Sequence, residues 1–374
     1  MNEANVLVRG TGIVGLSLAL ALARGGLRVA LRDTAPGRTS PGEDVRADVR
    51  ALALNAASVA LLRELRVWDS LPATARTAVH DMQVHGDAAG SSIEFSAWQQ
   101  RVGELAWITD AALLERELAT AVRFAPNITR VDEDVAAPLV ALCEGRDSQT
   151  RERLGVALQR VDYRQSAIAA RLVSDRAHAG VARQWFTPDG VLALLPFDAP
   201  SPGHSYALVW SLANPRADDT MAFDAPAFEQ ALMAATGGAG GTLALAGERA
   251  RWPLSMAKAE RWCGPGWVLL GDAAHVVHPL AGQGLNLGLA DVAALARVIA
   301  QREPWRPLGD EKLLRRYVRE RAAPTLAMTL LTDAIENLYT HPAPLARELR
   351  NRGLTLVDHL APVKRWLTAR ALDS

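Results

Sequence analysis

Gly271-Asp272-Ala273-Ala274-His275-Val276-Val277-His278-Pro279-Leu280-Ala281-Gly282-Gln283-Gly284-Leu285-Asn286-Leu287-Gly288 is the stretch on which the reading of this chain turns. It follows an apolar, strand-like run, Trp267 to Leu270, and leads into a helical pattern from about Leu285 to Ala300. A strand ending on Gly271-Asp272 puts a carboxylate where it can accept hydrogen bonds from a polyol such as ribitol. Gly282 and Gly284 let backbone N–H groups come close to a flat or anionic ligand. The helix start behind them, with Gln283 and Leu285, adds positive potential. That arrangement suits a flavin, with its ribityl chain on Asp272 and its ring against the Pro279 to Gly284 loop. The bland alternative is a Gly-rich strand–turn–helix corner.

A second glycine cluster lies near the start. Asn5 to Arg9 reads as a short buried strand, Ile13 to Gly25 as a Leu- and Ala-rich helix, and Leu27 to Arg32 as a second strand closed by Asp33 and the turn Thr34-Ala35-Pro36-Gly37. Such a β-α-β unit implies a parallel sheet. Between strand and helix stands Gly10-Thr11-Gly12-Ile13-Val14-Gly15. Its first glycine makes the tight turn, the second admits a pyrophosphate, and the third packs helix on strand. Asp33 ends the second strand, where a carboxylate can bind adenosine ribose hydroxyls. The fingerprint alone does not separate NAD from FAD. The second corner at Gly271-Asp272 favours FAD, long enough to lie extended across the domain.

Composition narrows the class. The 374 residues are 49% hydrophobic and 22% charged, enough for a sizeable core and two sub-domains sharing one cofactor. Lys+Arg and Asp+Glu are both 41, a balance that does not suggest a nucleic-acid binder. Cys143 and Cys263 are far apart and make no metal spacing, so free thiols in a reducing, cytoplasmic setting are expected. The apolar run Ile13 to Ala23 is punctuated by glycines at Gly10, Gly12 and Gly15 and lacks a basic flank beyond Arg9, which argues against a secretory signal. No stretch reaches the roughly 18 apolar residues of a spanning helix. A soluble protein, or one peripheral on the inner face of the membrane, is expected.

Further along, Ala51 to Leu65 and Ala111 to Val122 read as helices. From about Val156 to Leu212 the texture changes to alternating polar and apolar residues with Pro and Gly turns, the mark of antiparallel strands. Ala225 to Ala235 reads as a helix, and Gly237 to Gly241 as a flexible connection. The fold class expected is α/β: a Rossmann-like FAD-binding domain (1–155 and 250–330), glutathione-reductase-like as the family resemblance given next implies, an inserted antiparallel substrate sheet (156–249), and a C-terminal helical segment (331–374). Leu354 to Leu372 is amphipathic, with Lys364, Arg365 and Arg370 on its polar side. It suits packing on its own domain, with contact to a membrane surface or a partner as the alternative.

Together these features resemble the FAD-dependent aromatic hydroxylases, the single-component flavoprotein monooxygenases, and within them the ubiquinone-biosynthesis UbiH/UbiF group. The block at 271–288 matches that group's pattern throughout. Asp48-Val49-Arg50 with Leu54 to Ser58 and Val67-Trp68 resembles a second block. Gln184 to Gly190 with Leu195-Pro196 resembles its sheet segment, and Arg350 to Leu354 its C-terminal one. The resemblance implies that Gly10, Gly12, Ile13, Val14, Gly15 and Asp33 bind the ADP half of FAD and Arg50 its middle. Asp272 would hold the ribityl chain, with Pro279, Gly282, Gly284, Asn286 and Leu287 around the ring. A helix N-terminus there would stabilise the negative charge of reduced flavin. It also implies NAD(P)H and O₂ as co-substrates, a flavin hydroperoxide as the oxygen donor, and a polyprenylated phenol as the ring hydroxylated. A partnership with a quinone-biosynthesis assembly would follow. No nucleophile–base pair stands out, so no catalytic acid or base is assigned. No third ligand accompanies His275 and His278, so a structural use is expected for both and no metal.

The chain departs from the family in its middle motif, where Ala-Asp-Gly is replaced by Cys143-Glu144-Gly145 followed by Arg146-Asp147-Ser148. Glu144 keeps the charge on a longer arm, and the resemblance links it to FAD and the pyridine nucleotide. The segment Phe124 to Leu142 leaves room for one strand and a turn where relatives place a β-meander. The position where relatives often carry a polar side chain toward the pyrophosphate falls at Asp110 or Ala111. These departures keep a second reading open, a non-catalytic accessory flavoprotein, and a third, another enzyme on the same scaffold acting on isoprenoids.

Overall fold

The computed structural model describes residues 3–34, 48–86, 92–187, 189–277 and 283–340, the last ten of these by backbone alone. The chain opens with β1 (Val6–Arg9), α1 (Ile13–Arg24) and β2 (Val29–Arg32). β3 (Ala51–Leu54), α2 (Ala56–Glu64), β4 (Arg76–Val79), β5 (Asp81–His85) and β6 (Ser92–Ser96) follow. Next come α3 (Ala97–Gln100), β7 (Ala106–Asp110), α4 (Ala111–Arg123), β8 (Ile128–Val131), β9 (Leu139–Leu142) and α5 (Gln149–Arg153). The middle of the chain is β10 (Leu158–Ser174), β11 (Val181–Thr187), β12 (Gly190–Phe197) and β13 (Ser205–Ala213), then α6 (Asn214–Ala222) and α7 (Ala225–Thr236). It closes with β14 (Leu243–Ala259), β15 (Cys263–Gly264), β16 (Trp267–Leu269), β17 (His275–Val276), α8 (Gln283–Ala300) and α9 (Glu311–Thr340).

Three sheets organise these elements. The first has the order β15-β16-β9-β1-β2-β8, and its pairs from β16 to β8 are parallel. The strand order turns back around β1, with β2 on one side and β9 on the other, which opens a crevice beyond the carboxyl ends of the strands. Because β1, β9 and β16 run in register, Gly10, Cys143 and Leu270 arrive at the same edge. Its core is apolar stripes of α1, α4, α8 and α9, among them Leu16, Leu18, Leu118, Leu295 and Tyr317, all at most 1% exposed.

The second sheet is mainly antiparallel, eight strands in the order β17-β14-β10-β13-β12-β11-β5-β6. It draws on more than the 156–249 segment expected for it, recruiting β5 and β6 from upstream and β17 from the 271–288 block. α6 and α7 pack on one face, where Trp185, Leu208, Trp210 and Phe228 are buried. The third sheet, β3-β7-β4, covers part of the other face through Val79, Ile108, Phe197 and Ala207.

Two expectations need correction. The first turn of the helix read at 51–65 is a strand, since Ala51 to Leu54 pair with Trp107 to Asp110, and Asn55 then caps the helix by accepting from the Ser58 N–H at 2.8 Å. Partnership with a distant strand overrode the local Ala/Leu pattern. The 124–142 segment holds two strands, β8 and β9, each joining the parallel sheet at a different place. Leu354 to Leu372 and the Arg350 to Leu354 match lie outside the described residues.

Candidate cofactor site

The fingerprint glycines have three different surroundings. Gly10 takes φ +110°, a conformation side chains disfavour, and a methyl group there would run into the Cys143 carbonyl. A methyl on Gly15 would strike the Gly10 carbonyl. These two are held by packing of strand, turn and helix. Gly12 is the opposite case: a Cβ there meets nothing within 4 Å among the described residues. It caps α1 without a side-chain hydrogen bond, and no acidic residue stands in the first turn, so the helix N–H groups are left for an anion. Ile13 beside it is half-buried, and Asp33 is exposed just past the end of β2.

The second corner touches the first. Val14 packs between Gly271 and Gly288, within 2.7 Å of where a Gly288 Cβ would stand and 3.2 Å of where a Gly271 Cβ would stand. Two glycines remote in sequence thus let α8 and the β16 turn close on the start of α1. Gly271 has φ +57° and leads into a single 3-10 turn carrying Asp272. Asp272 is solvent-accessible, with protein atoms close around it. Burial pushes its carboxyl above the usual range, and His275, Arg146 and Arg50 oppose that rise.

Arg50 is held by Asp48, its Nη2 donating to Oδ2 at 2.7 Å, and its guanidinium lies 6.0 Å from the Trp252 ring centroid. Beneath it Arg171 donates from Nη2 to the Arg50 carbonyl and to Asp110 Oδ2, both at 3.0 Å, and lies 4.0 Å over the Phe197 ring. Asp110 also caps α4, accepting from the Leu113 N–H at 2.9 Å. Arg171 links the second sheet to Arg50, the residue that precedes β3.

The Asn286 and Leu287 side chains turn inward. Asn286 Oδ1 accepts from the Asn55 N–H (3.1 Å) and Ser58 Oγ (2.7 Å), while its Nδ2 donates to the Ala53 carbonyl (2.9 Å). Leu287 packs with Val277 and Met328. Leu285 is partly buried against the main core, and a Cβ on Gly284 would meet nothing within 4 Å among the described residues. Pro279, Gly282 and His278 lie outside the described residues, as does the Gln283 side chain.

Glu144 is saturated by the chain. Arg9 Nε donates to it at 2.8 Å, Ser148 Oγ at 2.6 Å, Thr150 Oγ1 at 2.8 Å and the Thr150 N–H at 3.1 Å. Burial alone would raise its pKa; Ser148, Arg9 and Thr150 outweigh burial and hold it low. Arg9 also pairs with Asp134, which Arg32 joins at 2.6 Å. Arg151 ties the same loop to the Asp272 corner, donating to the carbonyls of Arg146 (3.0 Å) and Ala273 (3.3 Å). An open groove of about 480 Å³ on this loop is lined by Arg146, Arg151 and Arg160, among others. Neither Gly12, Arg50 nor Asp272 lines it, and two of its arginines sit within 4 Å of Asp147 and Glu152.

One element escaped the sequence reading. Asp291 on α8 is fully buried and accepts from the Gly271 N–H (3.0 Å), His275 Nε2 (2.7 Å) and Arg321 Nε (2.9 Å). His275 is therefore a prop for the corner. The available signal was a lone carboxylate within the apolar run Leu287 to Ala296, since buried charges need partners.

Comparison with known proteins bears on this geometry. The FAD binding domain family matches residues 96–331. Ubiquinone hydroxylase UbiL of Rhodospirillum rubrum is 32% identical, over 99% of this chain and 90% of its own. The 3-demethoxyubiquinol 3-hydroxylase of Escherichia coli is 29% identical over 98% of each. Among solved structures, PqsL, a probable FAD-dependent monooxygenase from Pseudomonas aeruginosa, superposes with a TM-score of 0.75 at 21% identity, covering 95% of this chain and 100% of that one. HpxO of Klebsiella pneumoniae, solved with FAD and uric acid, gives 0.74 at 18% identity over 99% and 97%. These two likenesses concern the fold.

Proposed function

The chain belongs to the FAD-dependent aromatic hydroxylases built on the FAD binding domain, and on that premise we propose that it hydroxylates the ring of a polyprenyl-phenol intermediate of ubiquinone biosynthesis. One atom of O₂ would enter the ring and the other would leave as water, with two electrons from NAD(P)H. Bound FAD supplies the oxygen activation; the protein supplies binding, orientation and exclusion of water. The observation that carries the reading is the contact of the two glycine corners through Val14 at the carboxyl edge of the parallel sheet. It supports reading the open α1 N-terminus at Gly12 and the solvent-accessible carboxylate of Asp272 as parts of one site.

In this reading Gly12 and Ile13 receive the pyrophosphate, Asp33 the adenosine ribose, Arg50 the middle of the cofactor and Asp272 the ribityl hydroxyls. The start of α8, at Gly284 to Leu287, offers backbone rather than side chains to the ring, because Asn286 and Leu287 are spent on seating the helix. Glu144 acts through the loop it braces. The relatives named for ubiquinone hydroxylation support the substrate class.

Two measurements test the reading. Anaerobic NADPH should bleach the flavin of the purified protein, faster with a prenylated phenol present. Expression in strains lacking each ring-hydroxylation step should restore one step, identified by the mass of the precursor that disappears. Flavin that stays oxidised, with no step restored, would favour the accessory reading.

A further inference from the structure

Arg171 is a charged residue in apolar company. It stands opposite Ala207 in the register of β10 and β13, on the side of the second sheet that the third sheet covers, and its guanidinium lies 4.0 Å over the Phe197 ring. The residue is 9% exposed, and its Nη1 is shut off from solvent with no hydrogen-bond partner among the described residues. Its hydrogen bonds to the described residues both leave from Nη2, one to Asp110 Oδ2 and one to the Arg50 carbonyl, each at 3.0 Å.

Stability does not account for such a residue. A buried ion pair can be exchanged for apolar side chains of similar volume at little cost, and often with a gain. The unmet Nη1 donor adds a further penalty. What Arg171 does that an apolar side chain could not is hold a carbonyl. The Arg50 carbonyl accepts from Arg171 Nη2 and also from the Ala111 N–H at 3.3 Å. Asp110 is drawn into the same contact: Oδ1 caps α4 through the Leu113 N–H, and Oδ2 takes Arg171. The position at which the family resemblance implies a polar side chain toward the pyrophosphate is thus spent on Arg171.

The Arg50 side chain is oriented separately. Asp48 accepts from its Nε and Nη2, and Trp252 of β14 lies 6.0 Å from its guanidinium. β14 is paired with β10, so the second sheet meets Arg50 twice, at the main chain through Arg171 and at the guanidinium through Trp252. We propose that Arg171 is a positioning residue for FAD: by fixing the main chain at Arg50, it sets where that guanidinium meets the middle of the cofactor. This rests on the reading of Arg50 as a cofactor-binding group and adds the residue through which the second sheet governs it.

The test compares FAD dissociation constants, from fluorescence titration, for the unsubstituted protein, Arg171→Lys, Arg50→Met and the double variant. Lysine keeps a charge for Asp110 on an arm with a single nitrogen. R50M should weaken FAD binding roughly ten- to hundredfold, and R171K about tenfold, one hydrogen bond's worth of affinity. In the R50M background R171K should change the affinity less than about twofold, because the group it acts through is gone. This readout separates positioning from packing. The Arg50 carbonyl belongs to the main chain and survives R50M, so damage to the fold follows R171K into both backgrounds, and the flavin-free proteins should lose the same melting temperature in each. Equal weakening of FAD with and without Arg50 overturns the proposal. So does an unaltered affinity in both R171K and Arg171→Met, which removes the donor outright; should R171M fail to fold, R171K alone decides. If R50M binds FAD as the unsubstituted protein does, the reading of Arg50 fails and takes this inference with it. If R50M binds weakly while R171K acts equally in both backgrounds, only this inference fails.

Discussion

Replacing Asp291 by alanine removes the acceptor for three donors at once. The Gly271 N–H, His275 Nε2 and Arg321 Nε all end on its carboxylate, at 3.0, 2.7 and 2.9 Å. Asp291 is 0% exposed, His275 3% and Arg321 7%, so water does not replace the lost partner. Breaking a buried pair from one side costs roughly 3–5 kcal/mol, chiefly because the remaining charge stays buried and uncompensated. With an unfolding entropy of about 2.1 cal/mol/K per residue, a chain of this length loses roughly 4–6 °C in melting midpoint. Asp291→Asn keeps the volume and one acceptor oxygen but not the charge, so Arg321 stays uncompensated and the cost should remain in the same range of roughly 3–5 kcal/mol. The assay is thermal unfolding with and without added FAD. The Gly271 N–H lies next to Asp272, so both variants should also hold FAD more weakly. If D291A melts within a degree of the parent and retains its flavin, the view of Asp291 as the anchor of the corner is wrong.

Other outcomes follow from the same geometry. Gly10→Ala should fail to fold or to bind FAD, because its methyl meets the Cys143 carbonyl. Gly12→Ala should melt normally and bind FAD more weakly, which separates packing from ligand approach in circular dichroism and fluorescence titration. Asp272→Asn should weaken FAD binding roughly ten- to hundredfold, the worth of a charge-assisted hydrogen bond. Because burial raises the Asp272 pKa, the ionised carboxylate destabilises the flavin-free fold as pH rises through that value, so the flavin-free asparagine variant should melt no lower at neutral pH. In the parent, FAD affinity should decline on acidification before the ordinary aspartate range is reached. Glu144 has the opposite sign. Its depressed pKa contributes stability above the unfolded carboxylate value of about 4, lost as pH falls through that range and below it. Glu144→Gln should therefore flatten the acid limb of the stability profile, and a limb of unchanged steepness would rule out its bracing role.

The chain by itself determined what depends on neighbours in sequence. The β1-α1-β2 unit was legible because a tight glycine turn, a Leu/Ala helix and an acidic strand end succeed one another within a few residues. The strand–Gly–Asp–helix corner was legible for the same reason, and the order of its residues identified the family. Tertiary structure decided whatever depends on a partner far along the chain. Ala51 to Leu54 became a strand because Trp107 to Asp110 pair with it, and no local pattern announces that. Asp291, Glu144 and Asn286 carry side chains whose destinations, Arg321, Arg9 and Ser58, lie up to 228 residues away. Which face of the second sheet holds Arg171 follows from register across strands that loops of unrelated length connect. Backbone propensities act over one turn of helix or one strand, whereas desolvated charges and amides find their partners only once the sheets have closed on each other.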